Sequence, residues 1–144
     1  MIASTLASSE DATRELARAL AARLEPGDVV ALEGPLGAGK TLFAQALLAA
    51  LGVVGPVTSP TFALVQRYLG RDGQVVLHAD LYRLGDDDDV FALGVWDDVA
   101  DGALLVVEWP ERAPSVLEAA RFHVRLEDFG PTTRRITVSE APRP

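Results

Sequence analysis

The chain is 144 residues long, with 21 acidic and 13 basic residues and a formal net charge of −8. That length is one domain's worth, and it can bury a sizeable core without disulfide or metal staples. It holds no cysteine, which excludes disulfides, thiolate zinc sites, iron–sulfur ligation and cysteine nucleophiles, and its acid excess argues against free-standing binding to a phosphate backbone.

Met1–Ala7 has neither the basic start nor the apolar run of a signal peptide, and no later apolar stretch approaches a membrane span, so a cytoplasmic protein without a membrane partner is expected. Ser8 and Ser9 offer an N-cap, and Glu10 and Asp11 follow where the helix dipole favours acids. Ala12, Leu16, Leu20 and Leu24 then recur at helical spacing, which predicts an amphipathic helix over 9–24, stopped by Pro26-Gly27. Asp28–Glu33 is a short, largely apolar run of the kind found in buried parallel strands. A glycine-rich turn over 34–39 leads into a second helical face from Lys40 to Leu51, closed by Gly52. Val57–Pro60 reads as a loop, Phe62–Leu69 as a strand, and Gly70–Gly73 as a hairpin turn into a strand over 74–81. Asp86–Asp89 opens a short helix, followed by irregular structure around Gly94. Ala103–Val107 is a second wholly apolar strand, and strands near 121–128 and 134–140 form a terminal hairpin around Gly130-Pro131. With no internal repeat and no low-complexity linker, this alternation predicts a single α/β domain over 1–144, a three-layer sandwich around a mixed, mostly parallel sheet with antiparallel strands added.

Gly34-Pro35-Leu36-Gly37-Ala38-Gly39-Lys40-Thr41 fits the P-loop pattern of glycine, four residues, glycine, lysine, then serine or threonine. Glycines let backbone amides turn inward onto phosphate oxygens, and the helix that follows adds its positive N-terminal end. Lys40 supplies a mobile point charge for the β- and γ-phosphates, and Thr41 offers a hydroxyl to Mg2+. A strand before and a helix after supply the context the motif requires, so the chain reads as a P-loop NTPase fold that binds a nucleoside triphosphate with Mg2+, while the motif leaves the reaction open.

The chain contains no asparagine. This removes the Asn-Lys-x-Asp base-reading motif of guanine-specific GTPases and the catalytic-loop asparagine of protein kinases. The Ser-Gly-Gly signature of ABC-type ATPases is absent as well. A small-molecule kinase stays open, although Arg112 is the only basic residue near a plausible lid; a nucleotide-gated binding module with incidental hydrolysis also stays open. Metal and water positioning call for carboxylates at the ends of strands beside the P-loop. Asp80 closes the run Val75–Ala79 and Glu108 closes Leu104–Val107, where ligand groups emerge in open α/β sheets. Lys40, Asp80 and Glu108 are therefore the candidate catalytic residues.

Four segments taken together, Gly34–Thr41, Ser59-Pro60-Thr61-Phe62, His78–Leu84 and Glu108-Trp109-Pro110-Glu111-Arg112, stand in the order and spacing of the bacterial TsaE (YjeE) family, which the chain resembles over about residues 8–126. The resemblance implies a small ATPase that acts with the TsaD and TsaB proteins in making N6-threonylcarbamoyladenosine at adenosine 37 of tRNAs reading ANN codons, with tRNA engaged only indirectly. It implies ATP contacts from Gly34, Leu36, Gly37, Ala38, Gly39, Lys40, Thr41 and Leu42. Thr41 and Glu108 would hold Mg2+, and Asp80 would support the metal or orient the attacking water. Ser9 and Glu10 would lie by the adenine, and Arg134 at the nucleotide's edge. Thr61 falls in a segment resembling a switch that senses the γ-phosphate, and Trp109 would lie beside the nucleotide or the partner surface, although a core-filling role also stays open for it. Tyr82 and Arg83 would lock the switch strand or touch the ligand. One departure is Pro35, where many members have aspartate; it removes a charge and a donor but no side chain needed to grip phosphate.

His78 has no second histidine nearby, since His123 is far along the chain, and it reads as a hydrogen-bonded strand residue rather than half of a zinc site. Asp80 to Glu111 carries ten acidic residues and one base, Arg83, either a solvated acidic face or a docking surface for a basic partner. No residue plainly supplies an arginine finger, so slow intrinsic turnover that rises on partner binding is expected. Lys40 is the only lysine, against 12 arginines. A composition biased this strongly toward arginine keeps lysine where a slim ammonium on a flexible stem is needed, a task for which the planar arginine fork is a poor substitute.

Overall fold

Seven strands form one sheet in the computed structural model, which describes residues 3–35, 37–57, 65–83, 87–131 and 133–141. In chain order the elements are β1 (Ala3–Ala7), α1 (Glu10–Ala21), β2 (Val29–Glu33), α2 (Lys40–Ala50), β3 (Val65–Leu69), β4 (Val75–Asp80), α3 (Asp87–Ala92), α4 (Val95–Ala100), β5 (Leu104–Glu108), α5 (Pro114–Ala119), β6 (Phe122–Asp128) and β7 (Arg134–Glu140). The sheet order is β1-β7-β6-β2-β5-β4-β3. Its inner four strands, β6, β2, β5 and β4, run parallel. Strands added by antiparallel pairing flank them, β7 and then β1 on one side and β3 on the other. The mixed sheet with a parallel centre is the fold expected from the sequence.

β2 and β5 are apolar at nearly every position because helices cover both faces of a central parallel strand. The two-residue period of a strand sorts those positions between two cores. Val30, Leu32, Val76, Leu104 and Val106 pack with Leu20 of α1 and with Phe43 and Leu47 of α2. Val29, Ala31, Leu77, Leu105 and Val107 pack on the other face with Val90 of α3, Val95 of α4 and Val116 of α5. Three layers result.

Local signals set the helix ends. Ser9 caps α1, its Oγ accepting from the Ala12 N–H at 3.1 Å. The helix stops at Ala21, three residues short of the expected Leu24, because Arg23 and Leu24 bond back to Leu20 and Ala21, three residues earlier, in a tightened last turn. Around Gly94, where irregular structure is expected, α3 and α4 meet at a turn, and α4 anchors Val95 in the core. α5 begins at Pro114, a residue suited to a first helical turn. β1 pairs with β7, near the other end of the chain. Residues 58–60 of the expected loop, 62–64 of the expected strand, and Asp86 lie outside the described residues.

The parallel strands all end at one edge of the sheet. There Leu32 lies in register with Glu108, and Glu108 with Asp80. The turn after β2 leaves from the same edge, the usual place for a ligand in an open α/β sheet.

Leu32 is fully buried, whereas Leu6 on β1 is 55% exposed. Leu32→Ala is expected to destabilise the chain by about 2–5 kcal/mol, and Leu6→Ala by no more than about 0.5 kcal/mol. Urea unfolding separates the two, and equal losses would contradict the assignment of Leu6 to the solvent side.

Candidate functional site

β2 ends at Glu33, and residues 34–39 carry the chain into α2. Gly39 stands at the N-cap of α2 with φ +94°, a conformation that side chains disfavour. Gly34 passes so close to β6 that a Cβ there would lie 2.7 Å from the Leu126 carbonyl oxygen. Glycine is thus needed at one end of the turn for its backbone freedom and at the other for space. Gly39 offers α2 no side-chain cap, so the N–H groups of its first turn and the positive end of its dipole face the turn, an arrangement that suits an anion.

Lys40 opens α2 and is only 6% exposed. Its Nζ donates to the Gly34 carbonyl and, at 3.4 Å, to the Pro35 carbonyl. It also lies 3.5 Å from the centroid of the Trp109 ring. Burial lowers its pKa from the ordinary 10.5, against the opposing pull of Glu108, then Glu111 and Asp80. Trp109 itself has φ +60°, a left-handed conformation that costs a non-glycine residue about 1–3 kcal/mol. That backbone turn sets the indole between Lys40 and Tyr82, with the Tyr82 ring 4.9 Å away and tilted by 56°. The Arg112 guanidinium lies over the Tyr82 ring, 5.7 Å from its centroid.

The pleat of the sheet decides which carboxylates reach this turn. His78 and Asp80 share a strand face with Val76, and Glu108 shares one with Leu104 and Val106, the residues packed beneath α1 and α2. Thr41 Oγ1 donates to Glu108 Oε1 at 3.3 Å. His78 Nε2 lies 2.7 Å from Glu108 Oε2, and both side chains are buried. Asp80 Oδ1 accepts from the Tyr82 N–H at 3.0 Å, capping the turn that leaves β4. The Leu81 N–H donates to the Glu108 carbonyl at 3.0 Å, which ties the two strand ends together.

Among the described residues no group of three or more His, Cys, Asp or Glu could hold a metal ion. Mg2+ does not require one, because it keeps several waters and phosphate oxygens and takes one or two ligands from the protein. Thr41 Oγ1 and Glu108 Oε1, hard oxygen donors 3.3 Å apart, fit that donor set.

On the other side of the turn lies a cleft of about 300 Å3, lined by Ser9, Glu10, Gly39, Leu42, Leu126 and Arg134 among others. Arg134 donates to the Gly37 carbonyl at 3.4 Å and pairs with Asp128 at 3.4 Å, so the β6–β7 hairpin walls the turn. The fold therefore gathers the sequence candidates into two groups around one turn. Lys40, Thr41, Asp80, Glu108, Trp109 and Tyr82 stand on one side, and Ser9, Glu10, Leu42 and Arg134 on the other, with Gly34, Gly37, Ala38 and Gly39 between. Arg83 is exposed just beyond Tyr82. Leu36 and Thr61 lie outside the described residues. Sequence reasoning gave His78 no part in the site; the available signal was a histidine amid apolar residues, two positions before a strand-end aspartate.

Because burial lowers the Lys40 pKa, the folded chain holds the charged form less well than the unfolded chain does. Stability is penalised while Lys40 is protonated; the penalty fades once pH passes the lowered folded value and is gone above 10.5. Lys40→Met is expected to be at least as stable as the parent chain at neutral pH, with any gap closing as the pH rises toward 10.5. Urea unfolding across pH checks this, and a clearly less stable Lys40→Met chain at neutral pH would mean that the lysine is there for structure.

Comparison with known proteins identifies the family. Residues 7–136 match the family model described as Threonylcarbamoyl adenosine biosynthesis protein TsaE, so the match runs past residue 126 into β7. The tRNA threonylcarbamoyladenosine biosynthesis protein TsaE of Treponema pallidum is 40% identical over 116 residues, spanning 81% of this chain and 84% of that protein. Its counterpart in Streptomyces coelicolor is 41% identical over 133 residues, spanning 88% of each. The fold is similar to the crystal structure of Bacillus subtilis YdiB, with a TM-score of 0.76 at 28% identity, covering 96% of this chain and 84% of that one. With a family match over residues 7–136 and this extent of similarity, the chain belongs to the TsaE family of threonylcarbamoyl adenosine biosynthesis proteins.

Proposed function

We propose that the chain binds and hydrolyses ATP as a cytoplasmic subunit of the machinery that makes N6-threonylcarbamoyladenosine at adenosine 37 of tRNAs reading ANN codons, with TsaB and TsaD as its protein partners. The observation that carries this reading is the Thr41–Glu108 contact of 3.3 Å beside the buried Lys40 at the start of α2. A hydroxyl and a carboxylate at that place are what a phosphate-bound Mg2+ takes from a P-loop protein.

In this reading the N–H groups of the turn and of the first turn of α2 bind the phosphates. Lys40 exchanges the Gly34 and Pro35 carbonyls for phosphate oxygens. Thr41 and Glu108 hold Mg2+, which when bound offsets the negative charge on the phosphates. Asp80 orients a water toward the γ-phosphate. Ser9, Glu10, Leu42 and Arg134 frame the base in the adjoining cleft, while Thr61, Tyr82, Arg83 and Trp109 form the face that senses the γ-phosphate and meets the partners. Water attacks the γ-phosphorus, the bond to the β-phosphate oxygen breaks, and ADP, phosphate and a proton are released; the protein contributes positioning and charge rather than a covalent intermediate. Arg112 is engaged over the Tyr82 ring, so turnover is slow until a partner completes the site. The net charge of −8 favours contact with tRNA through the partners rather than directly.

Glu108→Gln is expected to bind ATP and the partners, lower kcat by on the order of 100-fold, and fail to restore tRNA modification in a reconstituted system with TsaB and TsaD. Lys40→Arg, despite its retained charge, is expected to lose nucleotide-dependent function altogether. Full modification by Glu108→Gln would favour a nucleotide-gated binding module instead, and a phosphorylated small-molecule product seen by mass spectrometry would favour a kinase.

A further inference from the structure

His78 faces Val106 across the β4–β5 ladder, which makes Glu108 its diagonal neighbour on the same face. His78 is fully buried and Glu108 is 3% exposed. Their side chains meet at 2.7 Å, between Nε2 and Oε2. A carboxylate only accepts, so the imidazole donates and its proton sits on Nε2. The other carboxylate oxygen, Oε1, takes the Thr41 hydroxyl. Each oxygen of Glu108 therefore has its own partner. The terminal torsion of a glutamate is otherwise broad, and here it cannot turn without breaking one of the two contacts.

The second ring nitrogen strengthens the case. His78 Nδ1 is buried with no hydrogen-bond partner among the described residues, a situation that costs about 1–3 kcal/mol. Leucine or valine would fill the same place on β4 without that cost. A histidine here makes sense through what its Nε2 does for Glu108.

We propose that His78 is the positioning residue for Glu108: the Nε2–Oε2 hydrogen bond fixes the carboxylate so that Oε1 stays with Thr41 and toward the Mg2+ the pair would hold. This rests on the ATP-hydrolysing reading above and deepens it. Hydrogen-bond partners behind a metal-binding carboxylate orient it in this way, and their loss costs about 10–100-fold in metal affinity or activity.

Calorimetric titration with ATP, with and without Mg2+, tests the proposal on the unmodified chain, His78→Leu and His78→Gln. His78→Leu is expected to bind metal-free ATP as the unmodified chain does, while the gain in affinity from Mg2+ shrinks about 10–100-fold. His78→Gln retains an N–H at similar reach and is expected to recover most of that gain. An undiminished Mg2+ effect in His78→Leu, or a glutamine variant no better than leucine, overturns the proposal. Should His78→Leu not fold, His78→Gln and a spectrum of the unmodified chain decide. The chain has only two histidines, so a long-range 1H–15N spectrum distinguishes their tautomers. His78 is expected to carry its proton on Nε2, and an Nδ1–H tautomer overturns the proposal. That spectrum needs no nucleotide, so it judges the hydrogen bond even if the unmodified chain binds no ATP and the reading of function falls.

Discussion

A carboxylate taken out of water must find partners, and the site is organised around the way Glu108 finds them. It ends the apolar run of β5 with its side chain on the α2 face of the sheet. Thr41 reaches it from the first turn of α2 and His78 from β4, while the nearby Lys40 supplies positive charge. One buried group thus ties together a helix start and two adjacent parallel strands. Because Leu32, Glu108 and Asp80 share a register, the same arrangement fixes how the turn after β2 sits above the strand ends. Were the register of β5 to slip by one residue, Glu108 would turn to the opposite face and the partnership would be lost.

Several features around this group cost stability. Lys40 is buried at a lowered pKa, Trp109 holds a left-handed backbone, and a ring nitrogen of His78 has no partner among the described residues. Elsewhere valine, leucine and alanine are layered on both faces of the sheet, and comparable costs are scattered: Trp96 Nε1 on α4 is buried with no partner among the described residues, and Asp72, between β3 and β4, is left-handed. Three such costs converging on one corner suit a site shaped for ligand chemistry rather than for folding.

The legible parts of the fold were those whose signal is local. The turn from Gly34 to Thr41 announces itself because glycine spacing, lysine and threonine each answer a near-neighbour need. β2 and β5 stand out because helices on both faces leave them apolar throughout, and Asp80 and Glu108 stand out because an acid ends each of two apolar runs. β1 was not legible: its small and polar residues make a strand only beside β7, at the other end of the chain. α4 and α5, of six residues each, are too short to display a helical period. The meeting of His78 with Glu108, and of Arg134 with the Gly37 carbonyl, depends on sheet register and on packing of distant segments. No sequence pattern marked the left-handed Trp109 that sets its ring against Lys40. As site residues, Ser9, Glu10 and Arg134 came from family resemblance alone, and the fold places all three along one cleft.

The central claim is that Thr41 and Glu108 act as one unit in holding Mg2+ against a triphosphate. A double-mutant cycle tests it most directly, with Thr41→Val, Glu108→Gln and the double variant titrated with ATP in the presence and absence of Mg2+. The account predicts strongly non-additive losses of Mg2+-dependent affinity, with a coupling between about 0.5 and 3 kcal/mol and a double variant no worse than the weaker single one. Losses that simply add would show two independent residues and contradict the account.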